Sequence, residues 1–228
     1  MSIVLEDTPA GILWDLDNTL YRVNSVMEKS FFNTAVAHAV REWGLDLSLD
    51  IAIAMAHESF EKTRFSARVF VDQYNIPFQD LHFLIDKHLD HKTINACDDT
   101  RRLFQMCPVD HALITHAARR WGLTVLNHLG LSDFFPEDRV FGFETYEFQS
   151  KANSPKSFEM ALAAMNKNPD QSIMVEDTVE NLRVPHDMGM TTILVHHGKV
   201  PDMLPDFVDH VCTNARDVMA AVYSSASG

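Results

Sequence analysis

A short apolar run, Ile12-Leu13-Trp14, ends in two carboxylates one residue apart, Asp15 and Asp17, and no other stretch constrains the chain as much. Such a run reads as a buried strand. Side chains alternate along a strand, so residues two apart share a side; in a turn just past its end both aspartates can face one cavity. Packing gains nothing from this, because unpaired charge is costly to remove from water. A hard cation makes it tolerable. Mg²⁺ takes one or two carboxylates, keeps waters and bridges to phosphate oxygens. One aspartate can then attack phosphorus while the other moves the proton. The same residues also fit a strand followed by an acidic turn, with Asn18 and Thr19 as turn formers.

The chain has 228 residues, enough for one domain with a large insertion or two small domains, and for a sizeable core. At 46% apolar it falls among globular chains, not disordered ones. Its net charge of −13 is scattered along the chain. That argues against nucleic-acid polymers and anionic membranes as partners, while a local site can still attract a phosphate. Cys97, Cys107 and Cys212 are widely spaced and match no zinc pattern, so they read as reduced thiols of a cytoplasmic protein. The first nine residues are acidic and lack both the basic and the apolar region of a signal peptide. No apolar run approaches the length that spans a bilayer.

Past Tyr21 the pattern turns helical. Val26, Met27, Phe31, Ala35, Ala39, Val40 and Trp43 recur at helical spacing, with Asn24 or Ser25 as cap and Gly44 as stop. Further helices are expected over 49–62, 65–74 and 79–89, with Asn75-Ile76-Pro77 as a break. This all-helical block reads as an insertion, residues 22–95, into a core made of 1–21 and 96–228. Arg64, Phe65, Ser66 and Arg68 lie between two of its helices. Arginine suits a phosphate or carboxylate and phenylalanine the face of a base, although arginines among surface helices are commonly just solvated.

From Asp98 strands and helices alternate. A helix over 99–106 precedes a buried strand, His111-Ala112-Leu113-Ile114-Thr115, and a helix over 117–129 closed by Gly130 follows. A hydroxyl beside the backbone N–H groups of a helix N-terminus makes a phosphate cradle, although a strand ending in Thr is commonplace. His116 can donate to a phosphate when protonated or simply pack, with packing preferred. A short apolar run over 139–143 leads through Tyr146 and Phe148 to Lys151, and Pro155 suits the first turn of the next helix. Ser172-Ile173-Met174-Val175 then runs into Glu176 and Asp177, so carboxylates again follow directly on a buried strand. A strand over 191–195, a loop with His196 and His197, an edge strand over 208–212 and a helix from Asn214 complete the chain. With no third ligand near them, the two histidines read as loop surface. The alternation implies an α/β fold, a Rossmann-like parallel sheet with right-handed crossovers and an inserted all-helical domain. Ligands sit at the carboxyl ends of such strands, where Asp15, Asp17, Thr115, the Lys151 loop and Asp177 converge.

The string Asp15-Leu16-Asp17-Asn18-Thr19-Leu20-Tyr21 resembles the first motif of the haloacid dehalogenase superfamily of phosphatases. There the first aspartate is the nucleophile and the second the general acid/base, which marks the phosphohydrolase branch. Thr115 stands where the second motif binds phosphate, and His116 where those relatives usually carry Asn. The third motif's lysine, usually followed at once by Pro, corresponds to Lys151, one residue further back than that pattern; Lys156, inside the first helical turn, is its competitor. Glu176-Asp177 is similar to the fourth motif, with Asp177 as the remaining ligand and Asn181 supporting it. The resemblance implies Mg²⁺ held by Asp15, Asp177 and the backbone carbonyl of Asp17, attack by Asp15 to form an aspartyl-phosphate, and proton transfer by Asp17. It also implies Thr115 and Lys151 on the phosphoryl oxygens and the helical block as a cap; His116, a departure from the family, and Arg64 are further candidate substrate contacts on the chemistry of their side chains. Asp17 to Tyr21, Leu129-Gly130-Leu131-Ser132-Asp133-Phe134-Phe135, Glu176-Asp177-Thr178, Asn181-Leu182 and Gly189-Met190 are similar to the pyrimidine 5′-nucleotidase-like group. The expected activity is Mg²⁺-dependent hydrolysis of a small phosphorylated metabolite, a pyrimidine nucleoside 5′-monophosphate first and a sugar or acid phosphate such as phosphoglycolate second. A catalytically silent binding protein on the same fold is the reading from another class, and the expected state is monomer or homodimer.

Overall fold

Six apolar runs form the strands of one sheet: β1 (Gly11–Trp14), β2 (Asp110–Ile114), β3 (Val140–Phe141), β4 (Ser172–Glu176), β5 (Thr191–Val195) and β6 (His210–Cys212). Every neighbouring pair is parallel, in the order β3-β2-β1-β4-β5-β6, so β1 lies inside the sheet. Trp14 is in register with Leu113 on one side and Val175 on the other. The residues that leave these strands at 15, 115 and 177 therefore emerge at one edge. The fold is the expected α/β, Rossmann-like one. In this computed structural model the described residues are 3–5, 7–22, 25–63, 65–94, 98–107, 109–198 and 203–226. Asn24, Arg64 and Cys97 lie outside them.

Residues 1–22 and 94–228 make one compact unit, and residues 23–93 a second. The second contains α1 (Ser25–Trp43), α2 (Leu49–Thr63), α3 (Arg68–Tyr74) and α4 (Phe78–Lys87). Its core joins Val36, Ala39 and Val40 to Ala52, Ala56, Phe70, Ile76 and Leu81; the many alanines let the helices approach closely. Gly44 (φ +111°) ends α1 and Asn75 (φ +54°) ends α3, both in the left-handed region that stops helices. The third helix starts at Arg68, later than periodicity predicts. The Ser59 and Thr63 hydroxyls both donate to the Phe65 carbonyl and hold it in a turn. Ser66 Oγ donates to buried Asn33 Oδ1 at 2.7 Å, Phe65 meets Phe78 edge to face, and Arg68 pairs with Asp72. All three side chains thus have partners within the helical unit.

The first unit adds α5 (Asp98–Met106), α6 (Arg119–His128), α7 (Lys156–Met165), α8 (Arg183–Asp187) and α9 (Ala215–Ala226). Alternation along β1 sends Leu13 into a core with Ile114, Met174, Leu194 and Phe158, Leu162 and Met165 of α7. Trp14 points the other way, onto Phe104 of α5, its ring centroid 5.4 Å distant. Its indole N–H donates to His111 Nδ1 at 3.2 Å across the β1–β2 pair. Burial pushes His111 down to about 3, so the ring is neutral and free to accept. Both faces of the sheet are covered, which is why its strands read as apolar runs. Cys107 and Cys212 are free, buried thiols. Among the described residues no helix is long and apolar enough to cross a membrane.

β3 and α6 are both shorter than the sequence predicts, and the close approach of residues 142 and 143 to the start of α6 explains both. A Cβ on Gly142 would lie 2.0 Å from the Arg119 nitrogen, so only glycine permits β3 to end beside the start of α6. Phe143 N donates to the Ala117 carbonyl, which keeps residue 117 out of the helix and delays α6 to Arg119.

Candidate active site

Asp15 is the first residue past β1; its N–H donates to the Val175 carbonyl as though the strand continued, and its side chain is buried. Lys151 reaches it from the loop before α7. Its Nζ lies 2.6 Å from Asp15 Oδ1, 2.6 Å from Glu176 Oε2 and 3.3 Å from the Ile114 carbonyl, and it is 1% exposed. Glu176 is fully engaged, since its other oxygen accepts the N–H groups of Asp177 and Thr178. Lysine so deeply buried would ordinarily lose its proton. Here burial lowers its affinity, but Asp15 and Glu176 together outweigh that and hold it charged.

The carboxylates show the opposite strain. Burial pushes Asp15 up to about 7, with Glu176 adding to it and Lys151 opposing. Burial likewise raises Glu176 to about 7 and Asp177 to about 6. One lysine does not neutralise three acids. Ligand atoms of Asp15, Glu176 and Asp177 lie within 4.8 Å of one another, an all-oxygen set that suits a hard divalent cation. Glu176 is tied up by the buried Lys151 ammonium and two backbone N–H groups, whereas among the described residues Asp15 Oδ2 receives no hydrogen bond and Asp177 accepts only from the Asn18 amide and the Thr178 hydroxyl.

Asp17 faces elsewhere. Its Oδ1 accepts from Tyr21 Oη at 2.5 Å and from Trp121 Nε1 at 2.9 Å, and its Oδ2 lies 3.5 Å from Thr115 Oγ1. Burial raises its proton affinity against these donors. Asn18, at φ +66°, turns the chain so that its amide donates to Asp177 Oδ2 at 2.8 Å. His197 Nε2 lies 2.6 Å from the Asn18 carbonyl, so the β5–β6 loop braces the turn after β1.

Thr115 sits just past β2, its carbonyl held by Tyr146 Oη at 2.6 Å and its hydroxyl accepting the Ala117 N–H. The His116 ring packs tilted against Phe143, and its Nε2 accepts the Lys151 backbone N–H at 3.1 Å. That nitrogen therefore carries no proton toward a phosphate; it orients the lysine's loop. Lys156 pairs with exposed Glu147 at 2.5 Å. Arg64 lies outside the described residues. The structure brings together Asp15, Asp17, Thr115, Lys151 and Asp177, places His116 on the backbone of the Lys151 loop, and adds Trp121, Tyr146 and His197 as supports. Nothing in the residues beside Trp121 or Tyr146 in sequence marks them as partners of Asp17 and Thr115. A histidine pair in a loop carries no local signal of the carbonyl it will meet.

A model of haloacid dehalogenase-like hydrolases matches residues 9–189. The chain belongs to that family. None of the curated proteins matches it in sequence. Solved structures of similar fold include a HAD hydrolase of family IA, variant 3, from Entamoeba histolytica, 16% identical, with 96% of this chain and 99% of that chain covered and a TM-score of 0.67. A HAD family hydrolase from Deinococcus radiodurans R1, with bound phosphate and sodium, is 19% identical over 96% of this chain and 98% of that one, with a TM-score of 0.58. YfnB from Bacillus subtilis, bound to magnesium, is 14% identical over 95% and 99%, with a TM-score of 0.60. At these identities the likeness concerns the fold of the family alone.

Proposed function

We propose that this hydrolase is a Mg²⁺-dependent phosphatase of small phosphate monoesters that works through an aspartyl-phosphate on Asp15, with a pyrimidine nucleoside 5′-monophosphate as substrate. The observation that carries the reading is the buried carboxylate of Asp15, gripped by Lys151 through Oδ1 and facing Asp177, with Oδ2 left for chemistry. The phosphate in the Deinococcus protein and the magnesium in YfnB support it as likenesses.

Asp15, Asp177 and the Asp17 carbonyl are the residues that would hold Mg²⁺, which when bound neutralises the acid cluster and the charge of the transferring group. Asp15 attacks phosphorus in line. Asp17 gives a proton to the leaving oxygen and then takes one from the water that hydrolyses the acyl phosphate. Thr115 and Lys151 hold the phosphoryl oxygens, and the helical block read from the sequence as residues 22–95 serves as the cap, with Arg64 its candidate substrate residue. The nucleotide preference rests on the likeness of Asn18 and Tyr21 to the pyrimidine 5′-nucleotidase-like group.

Hydrolysis of p-nitrophenyl phosphate with Mg²⁺ tests the reaction, and release of phosphate from a panel of nucleotides and sugar phosphates tests the substrate. Asp15→Asn is expected to fold and to lose turnover entirely. Near-normal hydrolysis by that variant would remove the nucleophile, and an inert wild type would leave the binding-protein reading standing.

A further inference from the structure

Two donors converge on one oxygen of Asp17. Tyr21 Oη approaches Oδ1 at 2.5 Å and Trp121 Nε1 approaches the same atom at 2.9 Å. Both side chains are nearly buried, at 6% and 2% exposure, and they reach Asp17 from different elements. Tyr21 comes from the turn after β1 and Trp121 from α6. An indole N–H only donates, so the oxygen it meets acts as acceptor. With the phenol donating as well, Oδ1 has no place for a proton. The other oxygen, Oδ2, faces the Thr115 hydroxyl at 3.5 Å, too long for a strong hydrogen bond.

We infer that Tyr21 and Trp121 are positioning residues that confine the exchangeable proton of Asp17 to Oδ2 and aim that oxygen at the leaving group. The inference rests on the phosphatase reading and adds an atom-level assignment to it. In the first half-reaction the bond from Asp15 to phosphorus forms as the ester P–O bond breaks, and the proton on Asp17 Oδ2 passes to the departing oxygen. Alcohol leaves, and the new carboxylate is stabilised through Oδ1 by two donors already in place. In the second half-reaction Oδ2 takes a proton from water as its oxygen bonds to phosphorus and the acyl phosphate P–O bond breaks. Inorganic phosphate leaves and Asp17 is again protonated on Oδ2. Without the clamp the carboxyl group can rotate, and the proton is no longer delivered from one fixed place.

A leaving group that needs no proton should barely register the clamp, whereas a basic one should depend on it. The test compares kcat/KM for p-nitrophenyl phosphate and phenyl phosphate, which have similar shapes but leaving groups of different basicity. Tyr21→Phe removes only the phenolic oxygen and Trp121→Phe only the indole. In each variant the ratio of kcat/KM for p-nitrophenyl phosphate to that for phenyl phosphate is expected to rise about tenfold over wild type, equivalent to about 1.4 kcal/mol of lost acid assistance. A purely structural role would lower both values together and leave the ratio unchanged, and that result in Tyr21→Phe overturns the inference even if Trp121→Phe fails to fold. A wild type inert toward both esters would instead sink the phosphatase reading, a distinct outcome seen before any variant is made.

Discussion

Lys151 Nζ lies 2.6 Å from two buried carboxylate oxygens, while Lys156, five positions on, pairs with a glutamate on the surface. The two lysines differ less in sequence than in what surrounds them. A pair in water is worth little after screening, whereas a buried cation between acids is expensive to remove. Lys151→Ala is therefore expected to lower kcat by on the order of a hundredfold, matching about 3 kcal/mol of lost transition-state contact. Lys156→Ala should stay within a few-fold of wild type. Steady-state kinetics on both variants, with a thermal melt to confirm folding, checks the ranking, and the reverse order would move the site lysine across Pro155. From the chain alone Lys151 is separated from Lys156 only by its place before the helix. The partners Asp15 and Glu176 lie 136 and 25 residues away in sequence, and no local pattern encodes that distance.

The elements of both units follow their periodicity closely in the middle and depart from it at the ends. Strand interiors are set by apolar runs that must be buried on both faces, whereas α3 and α6 begin late because side-chain and loop hydrogen bonds hold the preceding backbone in turns. Gly142 is the residue on which one such end depends. A Cβ there meets backbone atoms of Arg119 at 2.0 and 2.5 Å, and backbone cannot swing aside as a side chain can. Gly142→Ala should lower unfolding free energy by about 3 kcal/mol, the upper range for forced overpacking. Gly189, at φ +93° with no neighbour within 4 Å of its absent Cβ, offers the control. Its replacement by Ala should cost only about 1–2 kcal/mol of backbone strain. Urea unfolding of the two variants measures the difference, and equal midpoints would show that the loop yields more easily than its packing indicates.

At the scale of the molecule the acid cluster is a local excess of negative charge inside a chain that is already acidic overall, at −13. A cation that binds only the folded form must then raise stability. At a hundred times its dissociation constant Mg²⁺ contributes about 2.7 kcal/mol, which for a chain this size raises Tm by about 5–10 °C. Asp177→Asn should remove most of that shift, and EDTA all of it. A melting curve indifferent to millimolar Mg²⁺ would refute the cation site. Strands, their parallel arrangement and the class of fold are legible in the chain because each apolar run is a local signal, and alternation with helices leaves few ways to bury those runs together. The acids at the ends of β1 and β4 are legible for the same reason, since a carboxylate directly after a buried strand stands out against its neighbours. The hold of Tyr21 and Trp121 on Asp17, of His197 on Asn18 and of His116 on the Lys151 loop is not legible. Tyr21 is only four residues from Asp17 but has nothing in the local pattern to mark it, and the other three depend on strand register and on loops bent to within 3.1 Å of groups far away in sequence, distances that come into being only when the whole core packs.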